Sequence, residues 1–193
     1  METKMFLENK IREIANCKNV VNIGAGPDSG FQKELHPFKY LFGKNYRSLD
    51  YNDQTGPDIV GDAHNLPFKD EELDGVISIS VLEHLHNPIQ AVSEMRRVLQ
   101  RGGKALIYVP FLFPYHAKEG TYDDYYRFSP DAVRNLFKDF SHMEFIPTRR
   151  FFEMWLYMLP KLGRYLAPLG KAIDRMIKSS SNQVSGFIIF AIK

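Results

Sequence analysis

The chain has 193 residues, of which 44% are hydrophobic and 25% charged, and its formal net charge is +2. This composition is typical of one globular domain with a sizeable core and excludes a disordered chain. No stretch stays apolar for the about 20 residues that a bilayer span needs. The near-neutral charge favours no nucleic-acid partner, and the single cysteine, Cys17, excludes an internal disulfide and predicts a reducing, cytoplasmic location.

Hydrophobic periodicity predicts helices alternating with strands. Leu7, Ile11, Ile14 and Cys17 recur at helical spacing and predict a first amphipathic helix. A short buried strand over residues 19–24 ends in a glycine turn. Residues 31–42 then show a second helical period, which Pro37 should kink or end. Further strands are predicted over residues 45–50, 57–62 and 73–80.

The second half of the chain continues this alternation. A helix after Pro88 is predicted to end at residues 101–103, where glycine can take the left-handed cap conformation. A strand follows over residues 104–110. Ser129 as cap and Pro130 in the first turn predict another helix, and residues 184–192 a last buried strand. The alternation predicts a single α/β domain over residues 1–193, with a mostly parallel sheet and helices on both faces.

Candidate nucleoside-binding groups stand at three successive strand ends. Gly24 and Gly26 let the backbone approach a ligand closely and leave amides free at a helix N-terminus. Asp50 ends the second predicted strand and suits the two hydroxyls of a ribose. Asp62 ends the third and suits an adenine amino group. A glycine turn or one strand-end acid is equally typical of a purely structural turn or cap, but the combination indicates a nucleoside.

Five segments, in order and in register, resemble the class I S-adenosylmethionine-dependent methyltransferases of the Methyltransf_11 type. They are VVNIGAG (20–26), SLD (48–50), GDAHNLPF (61–68), LDGVISISVLEHL (73–85) and EMRRVLQRGGKALIYVP (94–110). The resemblance implies a Rossmann-like fold with a seven-stranded sheet, S-adenosylmethionine as cofactor, and a cofactor-binding core over about residues 18–110.

The same resemblance assigns cofactor contacts to particular residues. Gly24, Ala25 and Gly26 would face the amino-acid part of the cofactor. Asp50 and its neighbour Tyr51 would face the ribose, Asp62 and Ala63 the adenine, and Ser80 the methionine portion. Two positions depart from the family's pattern: Asn22 stands where Asp or Glu is common, and Asp28 where Gly is common.

The segment after the fifth predicted strand, residues 111–130, is the richest in groups that suit an acceptor. His116 is the expected catalytic base, because histidine is the usual proton acceptor near neutral pH, and Asp124 is the second catalytic candidate. Packing of a lid remains an equal interpretation of the aromatic side chains. The expected acceptor contacts are Tyr115, Tyr126, Arg127 and His84. Glu83 is expected to cap the next helix, and no metal is expected, since the spacing of these residues is not that of a zinc site.

The sequence therefore predicts methyl transfer from S-adenosylmethionine to the oxygen or nitrogen of a small molecule. The stretch from His116 to Ser129 also resembles methyltransferases associated with bacterial surface-glycan assembly, which implies a sugar or glycan precursor. A non-catalytic nucleoside-binding module and a nicotinamide-dependent oxidoreductase are the alternatives. Tyr157 and Lys161 have the spacing of an oxidoreductase pair, but Pro160 lies between them and Ser29 breaks the dinucleotide fingerprint.

The C-terminal part of the acceptor side, residues 151–178, mixes aromatic and leucine residues with lysine and arginine. Within a helical cover spanning about residues 111–180, this segment is predicted to close the acceptor pocket or to form a homodimer face. Peripheral contact with a membrane surface is a third interpretation, because basic amphipathic segments lie in that interface.

Overall fold

The computed structural model describes residues 2–26, 35, 38–177 and 183–193, which build a seven-stranded sheet in the order β3-β2-β1-β4-β5-β7-β6. Strands β1 to β5 pair in parallel, and β7 is antiparallel to both of its neighbours, β5 and β6. This is the fold that the sequence predicted. The strands are β1 (Val20–Ile23), β2 (Tyr46–Asp50), β3 (Ile59–Val60), β4 (Leu73–Ile79), β5 (Leu99–Pro110), β6 (His142–Thr148) and β7 (Gly186–Ile192).

Helices cover both faces of the sheet, and a separate hydrophobic core lies under each face. On one face α1 (Glu2–Ala15) and α2 (Lys39–Phe42) pack against the strands, and on the other α3 (Pro88–Val98) and α4 (Pro130–Leu136) do so. Two more helices, α5 (Phe151–Tyr157) and α6 (Gly163–Met176), connect β6 towards β7. Within the described residues, no helix has the length and hydrophobicity needed to cross a bilayer.

The prediction that the helix after Pro88 ends at residues 101–103 is wrong. Helix α3 already ends at Val98, and these residues form a bulge inside β5, where the register with β4 jumps from the pair Leu73–Leu99 to the pair Gly75–Lys104. Gly102 has a φ of 75°, which glycine adopts without steric cost. The glycines therefore permit a strand bulge, a requirement that looks the same in sequence as a helix cap.

Other boundaries differ in smaller ways. The third predicted strand shrinks to two residues, Ile59–Val60, and β6 had no clear signal because its residues are half-buried and include Pro147. The Ser129 cap is confirmed, since its hydroxyl accepts from Ala132 N at 3.2 Å. Of the predicted helix over residues 31–42 only residue 35 and residues 38–42 are described, and Asp28 lies outside the described residues.

The parallel pairing brings several segments to one edge of the sheet. Strands β1, β2, β4 and β5 all end there, and so does β6, which runs parallel to β5 because both are antiparallel to β7. The glycine turn, Asp50, Ser80, the segment after Pro110 and the α5–α6 hairpin consequently leave the sheet at the same edge. Ligands of open parallel sheets bind at this carboxyl edge.

Candidate cofactor and acceptor site

The turn after β1 is tied directly to the end of β2. The backbone amides of Gly24 and Ala25 donate to Leu49 O at 2.8 and 3.2 Å, and Gly26 N donates to Asp50 Oδ2 at 2.8 Å. The other Asp50 oxygen accepts from Asn52 N at 2.9 Å. The carboxylate is thereby fixed in orientation, and each oxygen keeps a lone pair for a further donor. The structure brings the predicted glycines and Asp50 together.

The glycine turn leaves space for a ligand on one side only. A Cβ on Gly24 would collide with both methyl groups of Val81, whereas a Cβ on Gly26 would meet none of the described residues within 4 Å. Both glycines have positive φ, 68° and 50°. The open side of the turn, next to a fixed carboxylate with free lone pairs, suits the amino-acid and ribose parts of S-adenosylmethionine, so these residues fit that cofactor.

Asp62 is held by a histidine that the sequence analysis did not single out. Its Oδ1 accepts from His64 N at 2.9 Å and from His64 Nδ1 at 2.7 Å, while His64 Nε2 accepts from Asn87 N at 3.4 Å. Burial alone would raise the pKa of the Asp62 carboxyl, but the hydrogen bonds from His64 outweigh burial and lower it. Oδ1 is therefore engaged, and Oδ2 is the oxygen on which an adenine contact depends.

The remaining predicted cofactor residues lie close to the same edge, in different environments. Ala63 is buried in the core, and Tyr51 is 80% exposed beside Asp50. Ser80 follows β4 with a φ of 55°, a strained conformation for a residue other than glycine, and its amide donates to Tyr108 O at 3.2 Å. Asn22 is fully buried within β1 and donates to the Tyr46 hydroxyl at 2.8 Å.

The acceptor-side segment, residues 111–128, is pinned onto the turn that follows β4. The amides of Tyr125 and Tyr126 donate to Glu83 O at 2.8 and 3.2 Å, and Phe128 N donates to Pro110 O at 2.8 Å. His84 Nδ1 lies 2.5 Å from Asp123 O. Residues separated by some forty positions in the chain are thus held side by side, next to the glycine turn.

An ion pair organises the middle of this segment. Arg127 binds both oxygens of Asp124, at 2.5 and 2.7 Å, and also donates to the carbonyls of Phe113 and Pro114 at 3.0 and 2.9 Å. The Asp124 side chain is fully buried, and Arg127 holds the pKa of its carboxyl well below the usual range. Asp124 Oδ2 also accepts from His116 N at 2.8 Å and lies 3.2 Å from His116 Nδ1.

Glu83 is the functional candidate that the sequence analysis misjudged. Its expected role as a helix cap is wrong, because Asn87 caps α3 through Gln90 N at 3.2 Å. Instead the Glu83 carboxylate lies 3.9 Å from His84 Nε2 and 3.8 Å from His116 Nε2, with 1% of the side chain exposed. Burial raises the pKa of Glu83 to about 8 and lowers the pKa of His84. The signal in the sequence was the adjacent pair Glu83 and His84, enclosed by Leu82 and Leu85.

The structure places the four predicted acceptor contacts in different environments. His84 and His116 meet at Glu83, and Tyr126 donates its hydroxyl to His86 O at 3.0 Å. Tyr115 is 76% exposed. The guanidinium of Arg127 is occupied by Asp124 and backbone carbonyls, so it shapes the segment from within.

The sheet order and the site at its carboxyl edge define an S-adenosylmethionine-dependent methyltransferase fold. Residues 37–107 match the family described as methyltransferase domain, Methyltransf_11. The chain is 30% identical over 109 residues to the tRNA (carboxymethyluridine(34)-5-O)-methyltransferase of Schizosaccharomyces pombe, a match that covers 54% of this chain and 47% of that protein. It thus spans about half the length of that relative.

Solved structures show the same fold. A SAM dependent methyltransferase from Archaeoglobus fulgidus superposes with a TM-score of 0.65 at 16% identity, covering 99% of this chain and 93% of that one. Phosphoethanolamine N-methyltransferase 2 of Haemonchus contortus, in complex with S-adenosyl-L-methionine, gives a TM-score of 0.61 at 17% identity, covering 100% and 52%. The chain therefore has the fold of the class I S-adenosylmethionine-dependent methyltransferases, and residues 37–107 match a methyltransferase domain.

Proposed function

We propose that this protein transfers a methyl group from S-adenosylmethionine to a nucleophile lying between the glycine turn and the Glu83–His84–His116 cluster. The observation that carries the proposal is the hydrogen bond from Gly26 N to Asp50, which builds the nucleoside-binding corner beside the acceptor segment. Gly24 to Gly26 would receive the amino-acid part of the cofactor and Asp50 the ribose hydroxyls. Asp62 and Ala63 would lie at the adenine, Tyr51 beside the ribose and Ser80 beside the methionine portion.

The cofactor supplies an electrophilic methyl carbon on a sulfonium, so the protein's own task is to orient and activate the acceptor. His116 is the proposed activating residue, because its ring is partly exposed and its Nδ1 side is fixed by Asp124. Asp124 itself is buried and shared with Arg127, which favours a positioning role over contact with the acceptor. His84 and Tyr126 would line the acceptor side.

The acceptor that we propose is a small molecule with a hydroxyl or amine, such as a sugar or glycan precursor. The aromatic and polar side chains of residues 111–128 support this proposal, and all of them lie beyond residues 37–107, the part that matches the family. A tRNA nucleoside is the second candidate, favoured by the name of the Schizosaccharomyces pombe relative. Turnover on a panel of nucleotide sugars and on unfractionated tRNA separates the two.

Calorimetry with S-adenosylhomocysteine tests the cofactor site. Asp50→Ala should weaken binding by about 1–3 kcal/mol, because the ribose hydroxyls and two backbone amides lose their acceptor. Asp53→Ala is the matched control, since Asp53 is exposed and lies three positions after Asp50. NAD bound as tightly as S-adenosylhomocysteine, or equal affinities of the two variants, would contradict the assignment.

Single-turnover kinetics test the acceptor side. His116→Ala should lower the methyl-transfer rate by about 100-fold or more while leaving S-adenosylhomocysteine affinity unchanged, because an activating group acts on the acceptor and not on the nucleoside. His142→Ala, on the exposed edge strand β6, serves as control. Full turnover in His116→Ala would reduce His116 to a packing residue. Binding of cofactor without turnover on any acceptor would favour the non-catalytic nucleoside-binding module.

A further inference from the structure

Three potential metal ligands converge beside the proposed acceptor position. The carboxylate oxygen of Glu83 and the Nε2 atoms of His84 and His116 all lie within 4.8 Å of one another. Glu83 is almost completely buried, and its Oε2 has no hydrogen-bond partner among the described residues. A buried carboxylate without a partner is costly, so its environment calls for a compensating cation or proton.

The hydrogen bonds of the two rings fix which nitrogen faces the centre of the cluster. His84 Nδ1 contacts Asp123 O at 2.5 Å, and His116 Nδ1 contacts Pro114 O at 3.1 Å and Asp124 Oδ2 at 3.2 Å. These oxygens only accept, so each Nδ1 carries a hydrogen, and the neutral form of each ring presents an Nε2 lone pair to Glu83. A metal-binding histidine is oriented in the same way, by an acceptor on its other nitrogen.

No side-chain donor of the described residues fills the space between these three acceptors. Arg127 Nη2 comes within 3.4 Å of His116 Nδ1, but it donates to Pro114 O at 2.9 Å and to Asp124 Oδ2 at 2.7 Å. The backbone amide of Glu83 itself donates to its carboxylate. Three lone-pair donors that face each other repel unless a metal ion or a proton lies between them.

We propose that Glu83, His84 and His116 bind one divalent first-row transition-metal ion, such as Zn²⁺, Mn²⁺ or Fe²⁺. Two imidazoles and one carboxylate suit these ions, whereas Mg²⁺ and Ca²⁺ prefer oxygen ligands alone. Ligands bonded at about 2.0–2.2 Å lie roughly 3–3.6 Å apart around such an ion. The distances of 3.9 and 3.8 Å from Glu83 to the two rings are close to this range, and the three atoms, all within 4.8 Å of one another, need to move inward to bind one ion. This replaces the expectation from sequence that no metal takes part.

The metal site indicates the chemical class of the acceptor, an inference that rests on the proposed methyl transfer. Three protein ligands leave coordination positions open for an oxygen of the acceptor. A hydroxyl bound there loses its proton to bulk water more readily, since a metal lowers the pKa of a bound oxygen. The oxygen then forms a bond to the methyl carbon, and the carbon–sulfur bond breaks with its electron pair going to sulfur. His116 activates the acceptor through the ion, and the acceptor is a hydroxyl.

Metal titration of the tag-free, chelator-treated full chain tests the site directly. Co²⁺ should bind at one ion per chain with the visible absorption of a nitrogen- and oxygen-ligated ion. His84→Ala and His116→Ala should each weaken Co²⁺ binding at least about tenfold. Glu83→Gln, which keeps the size of the side chain and removes its charge, should weaken it as well. His142→Ala, far from the cluster, should bind as the original protein does. Equal binding in all variants, or none in the original, would overturn the metal site.

The same preparations separate this proposal from the proposed function. Methyl transfer to a hydroxyl that stops on chelation and returns with the ion supports both. Turnover that is indifferent to the ion keeps the methyltransferase and overturns the metal's role. Retained Co²⁺ binding with no turnover on any acceptor keeps the metal site and removes the proposed function. Unchanged S-adenosylhomocysteine affinity in His116→Ala shows that this variant is folded.

A second, independent observation concerns the hairpin of α5 and α6. The two helices pack on each other through Gly163 and Gly170, where a Cβ would fall on the carbonyls of Tyr157 and Phe152. Asp174, buried on α6, accepts from Phe152 N and Glu153 N at 3.1 and 2.9 Å and so ties α6 to the start of α5. The two glycines and Asp174 thus stabilise the packing of α5 against α6.

The outer side of this hairpin is apolar and basic. Its large exposed apolar side chains are Trp155, Met158, Leu159, Leu162, Tyr165, Leu169, Met176 and Ile177. Along α6, Leu162, Tyr165, Leu169 and Met176 recur at helical spacing on one stripe. The exposed charged residues of the described hairpin are all basic, namely Arg150, Lys161, Arg164, Lys171 and Arg175. An apolar stripe flanked by cations is complementary to anionic lipid.

We infer that the α5–α6 hairpin docks the protein on the surface of an anionic bilayer. The apolar stripe would lie among the upper acyl chains, and the flanking cations would meet lipid phosphates. Because the hairpin leaves the sheet at its carboxyl edge, docking turns the acceptor side towards the membrane. An amphiphilic acceptor could then reach the site without leaving the lipid surface.

Trp155 is the single tryptophan of the chain and lies on the hairpin, so its fluorescence reports docking. Vesicles of phosphatidylcholine with phosphatidylglycerol should shift the Trp155 emission to the blue, and pure phosphatidylcholine should bind at least about tenfold more weakly. The double variant Leu162→Glu with Leu169→Glu should abolish the shift, and Ile89→Glu, an exposed apolar residue on α3, should not. The absence of a Trp155 emission shift with anionic vesicles would overturn docking on lipid. A homodimer in solution that the double variant dissociates would overturn it too.

Discussion

At the scale of single residues, an ion pair on α3 holds the loop that carries Asp62. Glu94 accepts from Leu66 N at 3.0 Å, and Arg97 binds Glu94 at 2.7 Å while donating to the carbonyls of Leu66 and Phe68 at 3.1 and 2.9 Å. The hydrogen bond from Arg97 lowers the pKa of Glu94, against burial and the neighbouring charge of Asp70. The loop is thereby fastened to a helix 28 positions further along the chain.

We expect Glu94→Gln to destabilise the protein by about 1–2 kcal/mol near pH 7, because Arg97 and Leu66 N lose a charged acceptor. A carboxyl whose pKa is lower in the folded state adds stability above its unfolded pKa, and that stability is lost as the pH falls through the folded pKa. Urea unfolding should therefore show the two proteins converging below about pH 4. Glu119→Gln, exposed on the acceptor segment, should change little, and an unchanged gap in acid would contradict this account.

At the scale of elements, the cofactor corner depends on how closely the β1 turn passes the β4 turn. Gly24 lies against both methyl groups of Val81, whereas a Cβ on Gly26, two residues on, would meet no described atom within 4 Å. The two positions share a positive φ and differ in crowding. Among the described residues, the corner therefore combines one closely packed glycine with one glycine that has no close neighbour.

This difference predicts distinct effects of the same substitution. Gly26→Ala should lower the free energy of unfolding by about 1–2 kcal/mol, because alanine is strained at a left-handed φ. Gly24→Ala should cost about 1–3 kcal/mol more, because its methyl group also displaces Val81. Val81→Ala should restore much of that extra loss in the double variant. Chemical denaturation measures the free energy of unfolding of the original protein, the two glycine variants and the double variant. Equal losses of stability at the two glycines would show that the contact with Val81 is unimportant.

At the scale of the whole molecule, the hairpin is an insertion in an otherwise continuous strand pair. Strands β6 and β7 pair over seven register positions, from His142–Ile192 to Thr148–Gly186. Ser185 N donates to Thr148 O at 3.1 Å immediately before the hairpin's point of departure. The exposed ion pair of Arg150 with Glu2, at 3.4 Å, adds little to hold the hairpin to α1.

Replacing residues 150–183 by Asn-Gly should therefore leave a folded protein, because a short loop can close β6 onto β7. The affinity for S-adenosylhomocysteine should stay within about threefold of the full chain, since the nucleoside corner lies on β1 and β2. Binding to anionic vesicles should disappear. The full chain with Ile89→Glu is the control. Loss of cooperative unfolding in the replaced protein would show that the hairpin is part of the core.

The sequence by itself determined the features that depend on neighbouring residues. Periodicity located α1, β1, β4 and α3, the Ser129–Pro130 pair located the start of α4, and motifs at successive strand ends identified the cofactor. A strand's face or a helix's cap is set within a few residues, so its signal survives in a short window. The parallel sheet then follows, because strands alternating with helices have few ways to pack.

Only the tertiary structure decided which side chains meet. Glu83 and His116 are separated by more than thirty positions, and neither the charge nor the spacing of one predicts the other. The glycines at residues 101–103 permit a bulge rather than a cap because β5 continues through them, and that choice depends on pairing with β4. The buried Glu83 cluster exists because the chain folds residues 111–128 back over the β4 turn. Contacts between distant segments depend on the packing of the whole sheet edge, which no local pattern encodes.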